Sequence, residues 1–129
     1  MGFKLARPDV DTAWLVGDGS FIFSVPTSLY MTARRYELPF LTVIYNNGGW
    51  GAVKGATVSV YGNKGAAAQQ NAYHHQLPLT DRLNEVAAAF GCFTATVDTP
   101  DALIAAVAQA RSAIAKGTPA VINAMLTEG

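Results

Sequence analysis

The sequence predicts an α/β protein, with a doubly wound parallel sheet and helices on both faces. Short apolar runs rich in strand-forming residues alternate along the chain with longer segments whose apolar residues recur at helical spacing. This alternation favours a parallel sheet, because parallel neighbours need a crossover segment between them. The 129 residues contain no internal repeat and no low-complexity linker, so we expect one domain over residues 1–129.

The chain begins with a short apolar segment that reads as the last turn of a helix. Arg7-Pro8 stops this turn, since proline disfavours helix in the residue before it. Met1 is either a natural start or a fragment boundary, and we favour a fragment boundary. The elements expected beyond Pro8 are a strand over 12–16, a helix over 21–37, a strand over 40–45, a short helix after 50, a helix ending at 89, a strand over 93–97, a helix over 99–116 and a strand over 119–126.

Two of these helices are predicted from their apolar faces. In residues 21–37 the apolar side chains approximate one helical face, and Pro26 suits a first helical turn. In residues 99–116, Thr99 or Asp98 can cap the first turn. The side chains expected on the inner face of this second helix are Leu103, Ile104, Val107, Ala110 and Ile114.

Residues 57–79 are the least regular part of the sequence. They are polar and contain Gly62 and Gly65, and a stretch of this kind is usually a functional lid or a mobile segment. His74-His75 could suggest catalysis or metal binding, since histidine titrates near neutrality. Adjacent side chains of a regular element point in different directions, so we expect exposed loop residues outside the site. Lys54 is likewise expected to face solvent rather than to act in catalysis.

The composition excludes several classes of protein. Nine basic residues balance nine acidic ones, so no charge excess indicates nucleic acid or an anionic membrane as a partner. A single cysteine excludes a disulfide within the chain. The sequence has neither an apolar stretch of membrane-spanning length nor a secretory signal. We therefore expect a cytoplasmic protein.

Two of the predicted strands end in short polar segments. Gly17-Asp18-Gly19-Ser20 follows the first strand, and Asn46-Asn47-Gly48-Gly49 follows the second. Ligands of a parallel sheet bind beyond the carboxyl ends of its strands, so the acid and the amide converge there. Mg²⁺ takes carboxylate, amide and diphosphate oxygens, while the glycines admit a phosphate and Ser20 offers a hydroxyl donor. The pattern predicts a Mg²⁺ and diphosphate site, although Asn and Gly are also common in any tight turn.

The two segments together resemble the thiamine-diphosphate motif. Gly17-Asp18-Gly19 and Asn46-Asn47 are separated by the 26 residues from Ser20 to Tyr45, and the flanks are most similar to the acetolactate synthase, pyruvate decarboxylase and benzaldehyde lyase branch. The resemblance covers nearly the whole chain and implies a thiamine-diphosphate-binding fold. It implies Asp18, Asn47 and the Gly49 carbonyl as metal ligands. The implied cofactor-binding residues are Gly17, Asp18, Gly19, Ser20, Asn47, Gly49 and Trp50.

The same resemblance implies a substrate pocket on the helix after Trp50. In the family this helix lines the pocket, so Ala52, Val53 and Ala56 are carried over as pocket residues. Ordinary packing of a glycine-rich helix is an equal alternative. The implied substrate is a 2-keto acid or an aldehyde that is decarboxylated or carboligated, and the sequence does not choose among these reactions.

The resemblance also implies parts that lie outside this chain. The family's activating glutamate belongs to a pyrimidine-binding domain, and no glutamate here matches it, so we place no catalytic residue in this chain and expect it to be inactive alone. The cofactor of the family lies between two domains, which predicts an uncovered apolar face around residues 48–56 and a homo-oligomer. The alternative function is a stand-alone module that binds a Mg²⁺-diphosphate ligand without catalysis or serves assembly.

Overall fold

A computed structural model describes residues 1–126 of the chain. The residues form four strands and seven α-helices, with short 3₁₀ turns at Gly62–Lys64 and Thr80–Arg82. In chain order the elements are α1 (Gly2–Ala6), β1 (Ala13–Gly17), α2 (Asp18–Phe23), α3 (Pro26–Arg35), β2 (Leu41–Asn46), α4 (Gly51–Tyr61), α5 (Ala66–Gln69), α6 (Glu85–Ala88), β3 (Phe93–Val97), α7 (Pro100–Ala115) and β4 (Ala120–Met125).

The four strands form one parallel sheet in the order β1-β2-β4-β3. One face packs against α2, α3 and α6 around Phe21, Tyr30 and Ile44, which are fully buried. The other face packs against α7 around Ile122 and Ala110. Helices therefore cover both faces, which confirms the predicted doubly wound fold. Among residues 1–126, no helix is long and apolar enough to cross a membrane.

The prediction of a single helix over residues 21–37 is wrong, because two helices, α2 and α3, occupy this stretch. The chain breaks at Val25, whose φ of 53° lies in the left-handed region. Pro26 explains the break, since proline excludes the residue before it from the right-handed helical region. Ser24 ends α2 by donating its hydroxyl to the Phe21 carbonyl over 2.6 Å. As a result Phe23 is exposed rather than part of a continuous inner face.

The second half of the chain differs from prediction in smaller ways. The helix expected to end at 89 is a 3₁₀ turn followed by α6, and Gly91 closes it with a φ of 70°. Thr99 caps α7 as expected, accepting a hydrogen bond from the Ala102 amide. Ile104 was placed on the inner face of α7 but is 69 % exposed, while Ala106 is buried instead. The predicted irregular stretch 57–79 contains the end of α4 and the short α5.

The break at Val25 leads to a prediction about stability. A β-branched residue in the left-handed region costs about 1–2 kcal/mol, whereas asparagine tolerates that region. Val25 is largely exposed, so Val25→Asn should raise the free energy of unfolding by about 1 kcal/mol in urea titrations. Val60→Asn, an exposed valine within regular α4, serves as the control and should give no gain. A Val25→Asn protein no more stable than the wild type would contradict this account.

Candidate functional site

The site lies where β1 and β2 end side by side. The register pairs Gly17 of β1 with Tyr45 of β2, so the segments that follow both strands emerge at the same edge of the sheet. We call residues 17–20, which are the end of β1 and the first turn of α2, the β1 loop, and residues 46–49, which are the end of β2 and the three residues after it, the β2 loop. This placement brings the two predicted segments together.

Asp18 joins the two loops. Its side chain is almost completely buried, with 2 % exposed. Oδ1 accepts a hydrogen bond from the Gly19 amide at 2.7 Å, and Oδ2 accepts one from the Gly49 amide at 2.8 Å. Both partners are neutral, and no basic side chain among residues 1–126 forms an ion pair with Asp18. The buried carboxylate therefore offers an uncompensated negative charge to a cation.

The Asn47 amide completes a group of three oxygens. One end of its amide lies 2.9 Å from the Gly49 carbonyl oxygen and 3.3 Å from Asp18 Oδ1, and with Nδ2 at that end the amide donates a hydrogen bond to each. The amide can therefore present either its nitrogen as a donor to these two oxygens or its oxygen as a third ligand beside them. Adjacent ligands of Mg²⁺, bound at about 2.0–2.1 Å in an octahedron, lie about 2.8–3.0 Å apart. The 2.9 Å spacing between the Asn47 amide and the Gly49 carbonyl oxygen fits that geometry, while the 3.3 Å spacing to Asp18 Oδ1 is wider.

The composition of this group restricts the cation. Among residues 1–126, no cluster of three His, Cys, Asp or Glu side chains is present. A single carboxylate with one amide and one backbone oxygen is a hard donor set without nitrogen or sulfur. Hard cations that retain water and phosphate ligands prefer such sets, whereas zinc prefers histidine and cysteine.

The first asparagine of the pair has a structural role. Asn46 is fully buried, and its Oδ1 accepts a hydrogen bond from the Gly48 amide at 3.0 Å. Its Nδ2 donates to the Thr80 carbonyl at 2.6 Å and to Asn123 Oδ1 at 3.0 Å. Asn123 Nδ2 in turn donates to the Thr80 carbonyl at 2.9 Å. This network fixes the β2 loop to the end of β4 and to the turn at residue 80.

A second contact to the β2 loop was missed by the sequence analysis. Residues 75–77 pair with it in antiparallel fashion, through an isolated bridge between Gly49 and Gln76. The Trp50 amide donates to the His75 carbonyl at 2.8 Å, and the Leu77 amide donates to the Gly48 carbonyl at 2.9 Å. A Cβ on Gly49 would overlap the His75 carbonyl oxygen, so the close approach requires glycine. His74 is exposed as expected, but the backbone of His75 supports the site.

The two glycines of the β1 loop differ in the space that surrounds them. A Cβ on Gly19 would overlap the indole ring of Trp50, which lies across this side of the site. A Cβ on Gly17 would meet no atom within 4 Å, so the protein itself leaves space there. Ser20 is exposed. The Trp50 Nε1 atom is buried and has no hydrogen-bond partner among residues 1–126.

The predicted pocket residues lie on α4, which begins directly after the β2 loop. Ala52, Val53 and Ala56 are all exposed, and α4 has no buried residue at all. Within residues 1–126 these side chains are not packed against other elements, so both the pocket and the ordinary packing of this helix stay predictions. An apolar helix with no covered face is a surface suited to a ligand or to another domain.

Two further titratable groups lie in the core, away from these loops. Burial raises the pKa of the Tyr30 hydroxyl, against the opposing effect of its hydrogen bond to Thr42. Burial also raises the pKa of the Cys92 thiol, which keeps it protonated and unreactive near neutral pH. Both residues belong to the packed face of the sheet that contacts α3.

Comparison with known families gives one match over nearly the whole chain. Residues 1–124 match the model of the family described as thiamine pyrophosphate enzyme, C-terminal TPP binding domain. Both the β1 loop and the β2 loop fall within the matched residues.

Similar proteins have related descriptions. The chain is 34 % identical over 122 residues to the acetolactate synthase large subunit of Mycobacterium tuberculosis, covering 95 % of this chain and 20 % of that protein. It is 32 % identical to a protein of Rhizobium meliloti named Probable sulfoacetaldehyde acetyltransferase, covering 99 % and 20 %. It is 30 % identical to the 3D-(3,5/4)-trihydroxycyclohexane-1,2-dione hydrolase of Bacillus licheniformis, covering 86 % and 17 %. The chain thus spans about a fifth of the length of these relatives.

Proposed function

The chain belongs to the thiamine pyrophosphate enzyme family, as its C-terminal TPP-binding domain, and from this premise we propose that its two loops bind the diphosphate of the cofactor through Mg²⁺. The observation that carries the proposal is the group of three oxygens from Asp18, Asn47 and Gly49. The 2.9 Å spacing between the Asn47 amide and the Gly49 carbonyl oxygen matches an octahedral edge, and the buried charge of Asp18 has no counter-ion among residues 1–126.

The residues of the proposed site have different roles in binding the metal and the diphosphate. The Asp18 carboxylate, the Asn47 amide oxygen and the Gly49 carbonyl would hold Mg²⁺, while diphosphate oxygens and water complete its shell. The open space at Gly17 would admit a phosphate, and the exposed Ser20 hydroxyl would donate to it. Trp50 would exclude water from the Gly19 side. When bound, thiamine diphosphate supplies the electron sink for breaking or forming a bond next to a carbonyl.

We further propose that this domain works within a larger enzyme of the acetolactate-synthase-like branch. The relatives it matches are about five times as long, which supports additional domains. Such an enzyme would decarboxylate or carboligate 2-keto acids or aldehydes, with the activating glutamate on a pyrimidine-binding domain and no catalytic residue in this chain. The exposed face of α4 would be covered by that domain or by a second subunit. Inactivity of this chain alone and a cytoplasmic location stay predictions.

The test of the proposal is calorimetric titration of the intact protein with inorganic pyrophosphate. This probe has the diphosphate end of the cofactor without its rings, so it separates the loops described above from any pyrimidine site. We expect binding in MgCl₂ and its loss when EDTA removes the metal. Equal binding with and without Mg²⁺ would contradict the proposed metal link.

The pocket assignment on α4 leads to a separate prediction. If Ala52 faces the substrate, then Ala52→Phe in the full-length enzyme should shift the ratio of kcat/KM for pyruvate over benzoylformate in favour of pyruvate by about tenfold, because pocket volume sets such discrimination. Val60→Phe, on the same helix and 72 % exposed, is the matched control and should leave the ratio unchanged. A uniform loss for both substrates in Ala52→Phe would count against a pocket at this position.

A further inference from the structure

A cavity of about 460 Å³ lies at the opposite end of the sheet from the β1 and β2 loops. The amino ends of β1 and β2 form its floor, and its walls are the C-terminal half of α7 and the turn that follows α1. This space exists because α7 packs mainly on β3 and β4, which leaves the start of β1 uncovered on this face. No residue of the two loops or of the predicted pocket on α4 lines it, so the cavity is separate from the site described above.

Lys4 places a buried charge in the wall of this cavity. Only 5 % of the residue is exposed, and its Nζ donates to the Pro8 carbonyl at 3.0 Å and to the Val10 carbonyl at 2.9 Å. An ammonium group has three N–H donors, so one of them has no acceptor among residues 1–126. No carboxylate in this part of the chain forms an ion pair with Lys4. Because a buried charge is costly without a counter-ion, the group favours an anion in the cavity.

The remaining lining shows which kind of anion fits. Arg111 contributes a second positive charge from α7 and forms no ion pair within the described residues. Asp11 is the acidic residue of the described lining, so two positive charges face one negative charge. This balance attracts a single negative charge and opposes a doubly charged group such as phosphate. The side chains of Leu41, Val107 and Ile114 make much of the rest of the surface apolar.

We propose that this cavity binds a small apolar carboxylate, held by Lys4 and Arg111. The carboxylate accepts hydrogen bonds from the free N–H of Lys4 and from the Arg111 guanidinium, and such charge-assisted bonds are the strong ones. The apolar body of the ligand then covers the exposed amino ends of β1 and β2. A volume of about 460 Å³ lies within the range of about 300–1,000 Å³ that is usual for small-molecule sites. The site is independent of the proposed function, because it uses no residue of the two loops.

A purely structural role of Lys4 is the alternative, since its two hydrogen bonds also hold the turn after α1. Two substitutions separate the roles. Lys4→Met keeps an unbranched apolar chain but removes the charge, whereas Arg111→Gln removes the other charge at an exposed position where the fold should tolerate it. Arg35→Gln makes the same change at an exposed arginine of α3 that does not line the cavity, and it serves as the control.

The experiment measures the dissociation constants of hexanoate, neutral hexanol and inorganic phosphate on the intact protein in carboxylate-free buffer. We expect the wild type to bind hexanoate more tightly than hexanol or phosphate. Arg111→Gln should weaken hexanoate binding at least about fivefold and leave hexanol affinity and the melting temperature unchanged. Lys4→Met should remove the preference for hexanoate over hexanol, and Arg35→Gln should behave as the wild type.

Several results would overturn the carboxylate site. These are no hexanoate binding to the wild type, phosphate binding as tight as that of hexanoate, or an equal loss of hexanoate and hexanol affinity in Arg111→Gln. Unchanged hexanoate affinity in Arg111→Gln, together with a lowered melting temperature in Lys4→Met, would establish the structural role instead. If Lys4→Met does not fold, Arg111→Gln still decides. Failure of the proposed function would appear separately, as absent Mg²⁺-pyrophosphate binding to a wild type that still binds hexanoate.

Discussion

Replacing Asp18 by asparagine should weaken Mg²⁺-dependent binding of pyrophosphate by about 100-fold. The asparagine keeps the shape of the side chain and one of its two acceptor oxygens, so the protein should still fold. It removes the only charge in the group of three oxygens, and losing one partner of a buried charged contact costs several kcal/mol. Titration calorimetry in MgCl₂ measures the change.

The effect can be separated from a general loss of charge and from unfolding. Asp98→Asn makes the same change at an exposed carboxylate outside the loops and should leave pyrophosphate affinity unchanged. Asp18→Ala should lose the affinity as well and should also lower stability, because the Gly49 amide then lacks its acceptor. Wild-type affinity in Asp18→Asn would remove Asp18 from the metal site.

Replacing Asn46 by alanine should destabilise the fold by about 2–4 kcal/mol. The substitution leaves the Gly48 amide and Asn123 Oδ1 without the partner that Asn46 supplies, while the Thr80 carbonyl keeps only the Asn123 amide as a donor. Each unsatisfied buried group costs about 1–3 kcal/mol, and partial relaxation of the loop offsets some of this. Urea unfolding of the variant and the wild type gives the difference.

The neighbouring asparagine provides the contrast to Asn46. Asn47 is exposed and faces the oxygens of Asp18 and Gly49, so Asn47→Ala should lower Mg²⁺ affinity but change stability by less than about 0.5 kcal/mol. Its effect on affinity should be smaller than that of Asp18→Asn, because the amide is neutral. If both asparagine variants lost stability equally, the division between a structural and a metal-binding residue would be wrong.

The fold was largely predictable because local patterns decide most of it. The strand at residues 93–97 and the helix capped by Thr99 were predicted within a residue or two, since short β-rich runs and cap residues act over a few positions. Pro26 indicates the break at Val25 from the local sequence. The prediction instead followed the helical spacing of the surrounding apolar residues. The prediction that Ile104 lies on the inner face was wrong, because helical spacing alone does not determine how wide the buried face of a helix is.

The site was only partly predictable, because part of it depends on contacts between distant segments. The spacing of the two loops predicted that Asp18 and Asn47 converge, and parallel pairing of β1 and β2 brings them together. The pairing of residues 75–77 with the β2 loop has no local signature, since it is an isolated bridge within an irregular segment. Asn123 offered one overlooked signal, an amide within an otherwise apolar strand, which implies a buried polar partner.

The measurement that tests the central claim most directly is a crystal structure of the intact protein with thiamine diphosphate and Mn²⁺, which replaces Mg²⁺ and has a measurable anomalous signal. We expect one anomalous peak beyond the ends of β1 and β2, about 2.0–2.3 Å from Asp18 Oδ1, the Asn47 amide oxygen and the Gly49 carbonyl oxygen, with two diphosphate oxygens completing the contacts. A cofactor bound with its diphosphate away from these loops, or a peak that lacks Asp18 as a ligand, would contradict the account.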